Sequence, residues 1–210
     1  MKKHLGYWLT ALIAGLFLLG PAAAQPVAGR DYKLIEPAQP TDDPARIEAI
    51  EFFSYACPHC YELDPLIRQW SAKLPRDVIF KRVPVGFNNP YYQLMAKLFY
   101  TLDTTGDRER VDAALFEAIH EKGARLVDEK SITAWAVSQG VDARRFSEAW
   151  SSFSTDAKMK RADQMSRAYR IEGVPAVVVD GRYLVTSKSL SELPEAINRV
   201  IELRRGERKK

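Results

Sequence analysis

Residues 47–60 run Ile47-Glu48-Ala49-Ile50-Glu51-Phe52-Phe53-Ser54-Tyr55-Ala56-Cys57-Pro58-His59-Cys60. Ile47 to Tyr55 is β-prone and reads as a buried strand. From Pro58 to Leu74 the pattern is helical. Pro58 fits the first turn, where a missing N–H is not needed, while Pro65 falls inside and predicts a kink. Cys57 and Cys60 thus lie where a strand gives way to a helix, a layout suited to thiol–disulfide chemistry.

That placement has electrostatic consequences. Cys57 sits at the helix N-terminus, where unpaired N–H groups and the positive end of the dipole favour a thiolate. Protonated His59 adds positive charge beside it. All three effects lower the Cys57 pKa. Cys60, one turn on, can reach Cys57. The sequence therefore predicts an exposed nucleophile at Cys57 and a shielded resolving thiol at Cys60. Two other uses of the pair fare worse. A structural disulfide gains by closing a long loop, and two intervening residues close almost none. Structural zinc takes four ligands, and the chain has two cysteines and, besides His59, only His4 and His120. No metal site is expected.

Outward from this junction, Val78 to Val83 reads as the next strand. The period then turns helical: Leu94, Met95, Leu98, Phe99 and Leu102 share one face, as do Val111, Ala114, Leu115, Ala118 and Ile119. Ser131–Gln139, Asp142–Ser151 and Thr155–Ile171 complete a helical run between 88 and 168. Strand character returns at Ala176-Val177-Val178-Val179. Asp180-Gly181 then signals a hairpin turn, Arg182–Thr186 the returning strand, and Ser191–Glu202 a last helix. Tyr32 to Ile35 could add an edge strand.

Gly173-Val174-Pro175 opens the late hairpin. It reads either as an ordinary loop or as a cis proline that holds the preceding backbone toward a ligand. Glu51 and Lys81 could both be solvent-facing strand residues. If Glu51 is instead buried beneath the cysteines, desolvation raises its pKa and lets it exchange a proton with Cys60. Lys81 is then its candidate partner.

The two ends carry the basic charge. The net charge of +4 arises at Lys2 and Lys3 and in the tail Arg204-Arg205-Gly206-Glu207-Arg208-Lys209-Lys210, which leaves the body between them slightly acidic. The tail is expected to be a solvated, frayed terminus. With no basic stripe interleaved with aromatics in the body, nucleic-acid binding is not expected. At the other end, a charged start, an apolar run from Tyr7 to Leu19 and Ala22-Ala23-Ala24 predict a signal peptide over residues 1–24, cleaved after Ala24. Export to an oxidising compartment follows.

The chain resembles the DsbA family of periplasmic disulfide oxidases. Residues Glu51 to Tyr61 resemble the family's active-site segment almost residue for residue, Gly173-Val174-Pro175-Ala176 its cis-proline loop, and Val179-Asp180-Gly181-Arg182-Tyr183 the hairpin that follows. The resemblance implies an α/β thioredoxin fold with an inserted all-helical domain. Residues 25–87 and 169–210 would form the thioredoxin-like part and 88–168 the insert. It also implies a cis Val174-Pro175 bond, buried Glu51 and Lys81 near the active site, and substrate held along Val174 and Pro175. Asp64 stands where Glu is usual, which puts a relay role there in doubt. The implied activity is disulfide donation to reduced exported polypeptides in the periplasm, with reoxidation by a DsbB-like quinone-linked membrane protein. The cysteine pair is the redox agent, no bound cofactor is expected, and the default state is a monomer. The rival readings are an isomerase or reductase on the same fold, a non-catalytic peptide-binding module, and a metal-binding export protein.

Overall fold

The computed structural model describes residues 26–209; the expected signal peptide and its cleavage site lie outside them. A mixed five-stranded sheet has the order β1-β5-β4-β2-β3. The strands are β1 (Tyr32–Leu34), β2 (Ile47–Phe53), β3 (Val78–Pro84), β4 (Ala176–Val179) and β5 (Tyr183–Val185). β2 pairs in parallel with β3, through the crossover helix α1 (Pro58–Ser71), and antiparallel with β4. Helix α1 continues past Pro65 as a single element.

Between β3 and β4 run α2 (Pro90–Thr105), α3 (Arg108–His120), α4 (Glu129–Ser138), α5 (Ala143–Trp150) and α6 (Phe153–Ala168). Local chemistry sets their ends. Asn89 caps α2 by accepting from the amides of Tyr91 and Tyr92, and Asp128 with Ser131 forms a capping box on α4. A thioredoxin fold with a helical insertion is therefore the observed architecture.

Alternation along the strands divides the core. From β2, Ile47 and Ala49 pack with Leu63, Ile67 and Trp70 of α1 and with Ile197, Val200 and Ile201 of α7 (Leu193–Arg208). Ile50 and Phe52 point to the opposite face, against Ala162 of α6 and Tyr169 and Ile171 just beyond it. Phe53, at the end of β2, joins the cluster that fills the helical block and includes Cys57 and Cys60. Glu51 and Phe53 therefore share the face covered by α1, and the reactive pair sits where the sheet, α1 and the helical block meet.

The hairpin at Asp180-Gly181 forms as expected, both residues taking positive φ (54° and 66°). A side chain at 181 would also collide with the Gln39 carbonyl.

The basic tail departs from expectation. It forms the last turns of α7, which runs to Arg208. Asp180 is the cause: its side chain is almost fully buried, and Arg204 and Arg208 both donate to it, Arg208 Nη2 at 2.7 and 2.9 Å. Arg208 also donates to the carbonyls of Arg46 and Pro44, and Arg205 to Asp77. A buried carboxylate needs compensating donors, so the tail docks instead of fraying.

Candidate active site

Strand β2 ends at Phe53, and a turn closed by the Cys57 amide donating to the Ser54 carbonyl (3.1 Å) leads into α1. The Ser54 hydroxyl accepts from the Ala56 amide at 3.1 Å. Cys57 is the N-cap residue, with extended backbone (φ −92°, ψ 118°), and Pro58 opens the first turn. Both cysteine thiols are free in this structure.

Their environments differ sharply. Cys57 is pulled down from 9.0 to about 6. The largest cause is the hydrogen bond from the Cys60 thiol; the amides of Cys60 and His59 and the charge of His59 add to it, while burial opposes them. Cys60 is fully buried and pushed strongly upward, first by burial and then by its neighbour Cys57. His59 is exposed, 3.3 Å from Glu62. Cys57 is less open than expected, at 5% exposure: its Sγ lies 3.4 Å from the Val174 carbonyl, which leans over it. Val174-Pro175 is a cis peptide, as the resemblance implied; Glu36-Pro37 is a second one that nothing in the sequence singled out.

Glu51 is buried completely beneath the pair, and burial raises its pKa. Its partner is not Lys81. In the parallel register Glu51 stands opposite Arg82 and Ile50 opposite Lys81, so alternation sends Lys81 to the other face of the sheet. There Lys81 pairs with Glu48, and with Asp42 at 2.7 Å, with about a quarter of its side chain exposed. Arg82, 6% exposed, takes the inner position: Nε is 2.8 Å from Glu51 Oε2, and Nη1 is 3.0 Å from Asp64 and 3.7 Å from Asp112. The Nε–Glu51 contact is a charge contact without hydrogen-bond alignment. The guanidinium also lies over the Phe53 ring, 4.1 Å from its centre.

Asp112 extends this network into α3. It accepts from the Tyr55 hydroxyl, and Arg108 reaches it at 3.3 Å. Asp64 is nearly buried and is shared between Arg82 and Arg68 (2.8 Å). Arg82, Asp112 and Tyr55 were not singled out in the sequence. A signal existed for Asp112, which precedes Leu115 and Phe116 by three and four residues and so falls on the apolar stripe of α3. Arg82 could be told from Lys81 only with the strand register in hand. Among the described residues no group of three or more His, Cys, Asp and Glu is arranged to hold a metal ion, and no helix is long and apolar enough to cross a membrane.

Comparison with known proteins agrees with this arrangement. The family model for a DSBA-like thioredoxin domain matches residues 70–198. The thiol:disulfide interchange protein DsbA of Bordetella parapertussis is 39% identical over 176 residues, covering 84% of this chain and 83% of that protein. DsbA of Burkholderia cepacia is 38% identical over 197 residues, covering 92% of each. The crystal structure of Pseudomonas aeruginosa DsbA superposes with a TM-score of 0.81 at 34% identity, covering 88% of this chain and 97% of that one. By profile, by sequence and by fold, the chain belongs to the DsbA family of thiol:disulfide oxidoreductases.

Proposed function

We propose that this chain oxidises reduced polypeptides by donating a Cys57–Cys60 disulfide. The carrying observation is the asymmetry of the two thiols: Cys57, at the N-terminus of α1, is pulled down to about 6, and the fully buried Cys60 is pushed up.

In the oxidised protein a client thiolate attacks Cys57 Sγ. A mixed disulfide forms, the Cys57–Cys60 bond breaks, and its electron pair leaves on Cys60. Burial makes a Cys60 thiolate costly, so it takes a proton from solvent, and Glu51, buried nearby with a raised pKa, is the proposed group through which that proton passes. A second client thiolate then attacks the client sulfur of the mixed disulfide. The client leaves oxidised, and Cys57 departs as a thiolate. Two electrons have passed to the protein, one proton rests on Cys60, and Cys57 needs none at neutral pH. A low leaving-group pKa speeds release and disfavours the reverse reaction.

The client backbone would lie against the Val174-Pro175 loop, where the Val174 carbonyl lies 3.4 Å from Cys57 Sγ. The redox agent is the cysteine pair itself, with no bound cofactor. Reduced exported polypeptides are the proposed clients, the periplasm the proposed compartment, and a DsbB-like quinone-linked membrane protein the proposed reoxidant. The expected N-terminal signal and the family support this setting. The test is oxidative refolding of a reduced, unfolded disulfide protein: stoichiometric oxidised chain should introduce disulfides within seconds to minutes, and Cys57→Ala should abolish this. Full activity in Cys57→Ala would leave only a binding role.

A further inference from the structure

His120 is the last residue of α3 and takes no part in the exchange steps above, yet it touches the reactive segment on both sides. Its Nε2 is 2.7 Å from the Tyr55 carbonyl oxygen. A carbonyl oxygen only accepts, so Nε2 carries the hydrogen and donates. Its ring stacks on Tyr61, with centroids 5.1 Å apart and planes within 10°, and on Phe116 behind it at 6.1 Å. The Tyr61 hydroxyl in turn donates to Glu121, the residue after His120. The C-terminal end of α3 thus grips Tyr55, two residues before Cys57, and Tyr61, one residue after Cys60.

We propose that His120 is a positioning residue that holds the turn presenting Cys57. Tyr55 and Ala56 are the central residues of the turn closed between Ser54 and Cys57. The Tyr55 carbonyl belongs to the peptide joining them, the one free to rotate between turn types. The imidazole is the donor that the structure places on this oxygen. Fixing the peptide fixes where Cys57 enters α1, and so the alignment of its sulfur with the amides of His59 and Cys60 that favour the thiolate. The inference rests on Cys57 being the low-pKa thiol of the exchange reaction.

The test is the pH titration of Cys57 by thiolate ultraviolet absorbance in the reduced mature protein. The comparison is among wild type, His120→Phe, His120→Leu and His120→Gln. Phe keeps the stacking on Tyr61 and Phe116 but has no donor, Leu has neither, and the Gln amide can donate to the same carbonyl. Both His120→Phe and His120→Leu should raise the Cys57 midpoint by about one unit, roughly a tenfold loss of thiolate below it. His120→Gln should stay near wild type. Since Phe fills the ring site, it carries the test if Leu does not fold. An unmoved midpoint in His120→Phe, or equal shifts in Phe and Gln, overturns the proposal. A wild-type midpoint at the ordinary thiol value would overturn the reading of Cys57 itself, and this inference with it.

Discussion

Replacing Arg82 by Met removes the buried cation while keeping most of its volume. Three carboxyl groups then face one another at the base of the site: Glu51 fully buried, Asp64 at 3% side-chain exposure and Asp112 at 6%. Asp64 keeps Arg68 and Asp112 keeps Arg108, but Glu51 is left without a cation. Breaking a buried ion pair from one side costs about 3–5 kcal/mol. Glu51 can limit the loss by holding a proton, since burial already raises its pKa, so a net loss of about 3 kcal/mol at neutral pH is expected. With a urea slope of about 2 kcal/mol/M, the midpoint should fall by about 1.5 M. The sign with pH follows from linkage. A carboxyl raised in the folded state binds its proton more tightly there than when unfolded. Stability is therefore lost as pH rises from the ordinary carboxylate range toward the folded value, and the deficit of Arg82→Met should be largest near neutrality and shrink toward pH 4. Adding Glu51→Leu to Arg82→Met should recover at least 1 kcal/mol. A single-variant loss below about 1 kcal/mol, independent of pH and additive with Glu51→Leu, would refute the account of this network.

Other consequences can be measured as directly. Truncation after Leu203 removes the arginines that hold buried Asp180 and should cost about 3 kcal/mol in chemical denaturation; a frayed tail would cost under about 0.5. Tyr55→Phe deprives buried Asp112 of its hydroxyl donor and should cost about 1.5–3 kcal/mol, read as the shift in urea midpoint. In the reduced protein, iodoacetamide should label Cys57 with a rate that rises through a midpoint at about 6 and should leave Cys60 unmodified; comparable labelling of both cysteines would contradict the asymmetry.

Local chemistry made much of this molecule legible. The C-x-x-C at a strand-to-helix junction, the helical periodicities between Pro90 and Ala168 and the Asp180-Gly181 hairpin each depend on residues close in sequence, and the structure forms all of them. What was hidden depends on register and distant contact. Lys81 and Arg82 are adjacent cations on one strand, and which faces Glu51 is decided by a parallel pairing formed across a helix. Asp180 reads as a turn residue, and its burial is visible only once α7 packs over it; so the arginines of the tail read as solvated when they are its ligands. Cys57 reads as an exposed nucleophile because its cover, the Val174 carbonyl, arrives from 117 residues away.

A thiolate at Cys57 stabilises the reduced form and so makes the disulfide ready to be donated. Denaturant unfolding of the oxidised and the reduced protein, across pH 3 to 8, tests this stabilisation. A thiol whose folded pKa is depressed contributes stability that is lost as pH falls through that value, here about 6. Each unit is worth about 1.36 kcal/mol, so Cys57 should contribute about 1 kcal/mol at pH 7 and more toward pH 8. Closing the four-residue loop stabilises the oxidised form by a comparable amount, roughly 1–2 kcal/mol, that does not change with pH. The reduced protein should therefore gain about 1 kcal/mol on the oxidised form as pH rises from 5 to 7, with the change centred near pH 6. A gap that ignores pH, or that moves toward the oxidised form as pH rises, would contradict this.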